Sequence, residues 1–90
     1  VRIRWTTKAN RQLNEIIAWI ADDKATNATL VLERIAKSSS QLALTPFLGR
    51  AGKAPGTREL VVPRSGYILV YRVTRDLVEI LGISRGARRR

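Results

Sequence analysis

Apolar and polar residues alternate at the start of the chain, with Val1, Ile3 and Trp5 set between Arg2 and Arg4. A period of two predicts a short strand with one buried face. The period then lengthens. Leu13, Ile16, Ile17 and Ile20 recur at i, i+3, i+4 and i+7, which predicts an amphipathic helix over Lys8–Asp22 with an N-cap from Thr6-Thr7. Asp22-Asp23-Lys24 interrupts the pattern, and Thr26 is a cap candidate for a second helix. Ala28, Leu32, Ile35, Ser39 and Leu42 share one face of that helix, and Pro46 ends it. A link this short predicts an antiparallel helical hairpin.

Beyond the hairpin the chain reads as a loop followed by strands. Residues Phe47 to Gly56 hold three Gly and Pro55 and read as a loop. Leu60-Val61-Val62 is an apolar run closed by Pro63, and Arg64-Ser65-Gly66 is a turn. Tyr67 to Thr74 is rich in aromatic and β-branched residues and predicts the strongest strand. Arg75-Asp76 makes the next turn, and Leu77 to Ile83 is the last strand. The expectation is one α+β domain over residues 1–90 in the order β-α-α-β-β-β. Its final three strands form an antiparallel meander, and the helices cover one face of a small antiparallel sheet. Gly86 and Arg88-Arg89-Arg90 read as a loose tail.

Composition changes this picture in two ways. The chain of 90 residues has 17 Lys plus Arg against 7 Asp plus Glu, a formal net charge of +10. Thirteen of those cations are Arg, whose planar fork grips phosphates and carboxylates in pairs. Such a surface attracts polyanions at long range: nucleic acid, an anionic membrane or an acidic protein. The chain also contains no Cys and no His. That excludes disulfides, thiolate or His-dependent nucleophilic catalysis, and zinc or haem ligation of the usual kinds. No cofactor and no metal are expected. Apolar runs are a few residues long and no signal-peptide pattern is visible, so the expected location is cytoplasmic, away from a membrane.

Few motifs carry chemistry. Gly49-Arg50-Ala51-Gly52-Lys53-Ala54 suggests a phosphate loop, but position 47 is Phe where that loop needs Gly, and Ala54 stands where Ser or Thr would hold the metal. Asn27-Ala28-Thr29 matches a glycosylation sequon but sits in the first turn of a helix. Glu59 and Glu79 could oppose each other as two catalytic carboxylates or pair with neighbouring Arg on the exposed sheet face. The informative set is Arg58, Arg64, Arg72, Arg85 and Arg88. Strand ends and turns of a meander return to the same edges, so several of these could converge. Converged, they could stabilise phosphoryl-transfer charge or bind a polyanion without chemistry; unconverged, they are a solvated face. Trp19, between Ile16 and Ile20, marks an edge where a partner could dock.

Gly56-Thr57-Arg58-Glu59-Leu60-Val61-Val62-Pro63, Gly66-Tyr67-Ile68-Leu69-Val70-Tyr71-Arg72-Val73, Val78-Glu79-Ile80-Leu81-Gly82-Ile83 and Gly86-Ala87-Arg88, behind an opening strand and helix, resemble the RelE/ParE superfamily of bacterial toxins. The resemblance implies a type II toxin–antitoxin system, with an acidic antitoxin that wraps the toxin. It also implies one of two activities. The ParE branch inhibits DNA gyrase, without being an enzyme; for it Arg58, Arg72, Arg85 and Arg88 are the expected target contacts. The RelE branch cuts messenger RNA on the ribosome, for which Arg58, Arg64, Arg85 and Arg88 would be the catalytic set. A non-catalytic nucleic-acid-binding module is a further alternative. The RelE branch carries a basic residue directly after Gly-Tyr; here that position is Ile68, which favours ParE. Leu13, Ile17 and Trp19 on the hairpin are the expected antitoxin contacts. Under either toxin activity, replacing Arg85 and Arg88 together by Ala is expected to abolish growth arrest; full toxicity in that double variant would remove both site assignments.

Overall fold

The computed structural model describes residues 1–86. The elements run β1 (Arg2–Trp5), α1 (Thr7–Asp23), α2 (Ala25–Leu44), β2 (Arg50–Ala51), β3 (Arg58–Val62), β4 (Tyr67–Thr74) and β5 (Leu77–Arg85). The strands form one sheet in the order β1-β5-β4-β3-β2. The expected α+β order is present, with two refinements. The segment read as a loop contains the two-residue strand β2, with Arg50 opposite Glu59 and Ala51 opposite Arg58. The sheet is also mixed: β3, β4 and β5 form the antiparallel meander, but β1 lies parallel to β5, with Arg2 opposite Leu77 and Trp5 opposite Ile80. The reason is topological. The helical hairpin carries the chain from the β1 edge to the far edge, and the meander walks back until its last strand meets the first.

Local chemistry sets the helix ends. Thr6 caps α1, its Oγ accepting from the Ala9 N–H at 3.1 Å. A single extended residue, Lys24, joins the helices and donates its N–H to the Ile20 carbonyl at 2.8 Å. Thr26, expected as the cap of α2, therefore falls inside its first turn, and α2 starts without a side-chain cap. So tight a link brings the two helices antiparallel against one face of the sheet.

The core lies between them. Ile35 and Leu42 of α2 meet Leu69 and Tyr71 of β4, Val62 of β3, and Val78 and Ile80 of β5, all essentially without solvent exposure. Along β5 the inward positions are Val78 and Ile80, then Ile83, a change from even to odd. A β-bulge causes it: Val70 pairs with Gly82 but Tyr71 with Ile80, leaving Leu81 as the additional residue. Gln12 of α1 serves this irregularity by accepting the Ile83 N–H at 2.8 Å. Gly82 leaves room for it, since a Cβ there would lie 2.8 Å from the Gln12 Oε1.

One core residue also reaches the surface. The buried Tyr71 hydroxyl donates to the Pro46 carbonyl and accepts from the Gly49 N–H, both at 2.8 Å. A Cβ at Gly49 would stand 2.7 Å from both that hydroxyl and the Glu59 carbonyl, so the loop packs where only glycine fits. Tyr71→Phe keeps the ring and strands two backbone groups. It is expected to lower stability by about 1–3 kcal/mol, read as a shifted urea midpoint with an unchanged m-value; an unshifted midpoint would show that the loop bonds contribute nothing.

Candidate functional site

Of the five arginines singled out from the sequence, the four among the described residues are not brought to one place. Arg58, at the start of β3, turns toward the loop that follows α2. Its Nη1 donates to the Gly49 carbonyl at 2.7 Å and to the Phe47 carbonyl at 3.5 Å, and its guanidinium lies 4.8 Å from the centre of the Phe47 ring. Arg72 is on the opposite, helix-free face. It donates to Glu79 at 2.8 Å, and Glu79 also receives Arg4 from β1. One largely buried carboxylate thus bridges two half-exposed guanidiniums from two strands. On the same face Arg50 pairs with Glu59 at 3.2 Å. Glu59 and Glu79 stand two strands apart, each facing cations. Ion pairing is the role the structure gives them, and they do not oppose each other as a catalytic pair.

Arg64 and Arg85 do share one end of the sheet. Arg64 sits in the β3–β4 turn in the left-handed region, at φ 55°. Arg34 of α2 donates to its carbonyl at 2.8 Å and ties the turn to the helix. Arg85 closes β5 opposite Tyr67, and the next residue, Gly86, donates its N–H to the Gly66 carbonyl at 2.7 Å. The Arg85 guanidinium lies 5.8 Å from the Tyr67 ring centre and 5.9 Å from that of Trp19, the outer range of a cation–π contact. These groups line a cleft of about 340 Å³ with Gln12, Glu15, Ile16 and Ile83. Arg88 lies outside the described residues. Arg34 was missed in the sequence because its role is a backbone bond across the fold, which no local pattern announces.

The three hairpin residues also divide. Leu13 packs against the core beside Ile16 and Ile20, and Ile17 is half-buried. Trp19 is 67% exposed, pointing away from Leu13 and Ile17 because two and six residues along a helix advance by about 200° and 600°. Helical spacing puts Leu13 inward and Trp19 at the Arg85 cleft, so the three expected antitoxin contacts do not share one exposed face. Among the described residues no group of three acidic, Cys or His side chains could hold a metal, and no helix is long and apolar enough to cross a membrane.

Comparison with known proteins bears on the whole chain. The family model for the ParE toxin of type II toxin-antitoxin system, parDE, matches residues 3–90. A curated protein of Sinorhizobium fredii (strain NBRC 101917 / NGR234), named "Putative toxin Y4kP", is 46% identical over 82 residues, spanning 91% of this chain and 84% of the relative. A solved structure of the chromosomal ParDE TA system from P. aeruginosa superposes with a TM-score of 0.83 at 24% identity, covering 97% of both chains. At that identity it is the fold that is shared.

The stacking geometry can be checked directly. In a Trp5→Phe variant Trp19 is the only tryptophan, and under tryptophan-selective excitation iodide is expected to quench it strongly because the anion is drawn to Arg85. Adding Arg85→Ala should weaken iodide quenching up to about threefold at low salt while leaving quenching by neutral acrylamide unchanged. Equal quenching by iodide in both variants would separate Arg85 from Trp19.

Proposed function

The chain belongs to the ParE toxin family of type II toxin–antitoxin systems, and from that premise we propose that it inhibits DNA gyrase through Arg85 and is neutralised by an acidic antitoxin. The observation that carries this reading is the strand position that would be basic in the RelE branch: here it is Ile68, which is buried. Arg58, expected under either activity, is engaged with two backbone carbonyls, and Arg72, expected for gyrase, with Glu79. What remains presented is an Arg set against Trp and Tyr. Those residue types dominate protein–protein hot spots because they combine large contact area with directed polar groups.

The same geometry supports a simple route to neutralisation. Trp19 is the exposed anchor proposed for the antitoxin. Arg85 stacks over Trp19. An antitoxin segment that covers Trp19 therefore also covers the proposed target contact. With a net charge of +10 on the toxin, an acidic segment gains in encounter rate as well as in contact.

A supercoiling assay with purified gyrase, relaxed plasmid and ATP tests this, with messenger RNA followed in a parallel translation extract. The expected result is lost supercoiling with trapped cleaved DNA and intact message. Arg85→Ala is expected to raise the inhibitory concentration roughly tenfold or more, as for a central interface arginine. Unaffected gyrase, with message cut only when ribosomes are present, would overturn the proposal in favour of the endoribonuclease.

A further inference from the structure

The turn after α2 is apolar, exposed and held still. Leu44 is 87% exposed, Phe47 63% and Leu48 48%, a cluster of large apolar side chains within five residues of sequence. Loops that show such residues are ordinarily mobile or covered. This one is fixed from beneath. Tyr71 holds the Pro46 carbonyl and the Gly49 N–H. Arg58 holds the Phe47 and Gly49 carbonyls and lies against the Phe47 ring. The Leu48 N–H donates to the Thr45 carbonyl at 3.1 Å, and glycine alone fits at position 49. Every backbone group from Pro46 to Gly49 named here is satisfied by the fold, so the side chains of Phe47 and Leu48 are displayed without serving the core.

We infer that this turn is a pre-organised apolar probe, inserted by the toxin into an apolar, carboxylate-rimmed pocket on its protein target, and that Arg58 is the positioning residue that aims it. The proposal rests on the reading of this chain as a toxin acting on a protein. Two facts choose the occupant. The base of the probe is cationic: Arg58 is held by neutral carbonyls, which leave its charge uncompensated, whereas the charge of Arg50 is paired with Glu59. A pocket lined by apolar groups and rimmed by acids complements that arrangement. A second copy of this chain does not, since two bodies of charge +10 repel each other. Holding the turn rigid before contact removes the ordering cost that a flexible loop would carry into binding. Arg58 thereby changes role: sequence reasoning offered it as a contact for the target, whereas its donors point into its own loop.

The test is a Phe47→Ser and Leu48→Ser double variant, with Arg58→Lys beside it. Growth arrest on induction and inhibition of purified gyrase are both read, together with thermal melting, toxin self-association and antitoxin affinity. The double variant is expected to melt as the wild type does, to bind antitoxin within about twofold of the wild-type affinity, and to lose at least tenfold in inhibitory potency. Arg58→Lys keeps the charge but not the paired reach to both carbonyls. It is expected to lose potency similarly, with faster amide exchange at Gly49. If wild-type protein arrests growth but leaves gyrase active, while the double variant no longer arrests growth, the gyrase reading fails and the probe stands. Undiminished potency of the double variant overturns the probe. So does loss of antitoxin binding or of self-association with potency retained, because the turn then serves a different partner. Full potency of Arg58→Lys returns Arg58 to the role of a charged contact.

Discussion

Tyr71 contributes a ring to the middle of the core and a hydroxyl to the loop beyond it, and the two cannot be separated. The ring packs where Ile35 and Leu42 of the hairpin press on the sheet, so β4 is fixed between the helices and its neighbouring strands. The hydroxyl then determines where the chain leaving α2 must run before it can enter the sheet. A buried hydroxyl without partners would cost more than the ring gains at its margin. The loop is thus a requirement of the core as well as a connection. From it follow the glycine at position 49, the short strand β2, and the approach of Arg58 to its own backbone.

The charge distribution follows from the same division of the sheet. One face is covered by helices and holds the apolar core; the other is open and carries Arg2, Arg4 and Arg72 with Glu59 and Glu79. On the open face, cations meet carboxylates and neutralise locally. At the end of the sheet where β5 stops, Arg85 has aromatic rings instead. A net charge of +10 is therefore not spread evenly in effect. It is quenched where it stabilises the sheet and left available where the cleft opens.

Much of this was legible in the sequence, for physical reasons that can be named. Leu13, Ile16 and Ile20 repeat at helical spacing because one stripe of α1 must be buried, and Tyr67 to Thr74 is a nearly continuous apolar run because β4 sits at the centre of the sheet. Thr6 was readable as a cap because its chemistry is local. What escaped was non-local. The parallel partner of β1 depends on which edge the hairpin crosses to. The bulge at Leu81 reverses the inward phase of β5 and is stabilised by Gln12 from another element. The arginines were recognisable as a set, but their partners come from other elements: the Gly49 carbonyl for Arg58, Glu79 across the β4–β5 pair for Arg72 and Trp19 of α1 for Arg85. Residue type announced the chemistry, and only the fold could assign each guanidinium an acceptor.

The parallel pairing of β1 with β5 joins residues 75 apart in sequence, as the Arg4–Glu79 contact shows. During synthesis at about 5–20 residues per second, β1 therefore waits roughly 4–15 s for its partner strand. Through that interval the apolar stripe of the hairpin is incompletely covered, since β5 supplies Val78, Ile80 and Ile83 to the core. Long-range closure of this kind slows folding. It also means that a chain released before β5 lacks Val78, Ile80 and Ile83 and has no finished core.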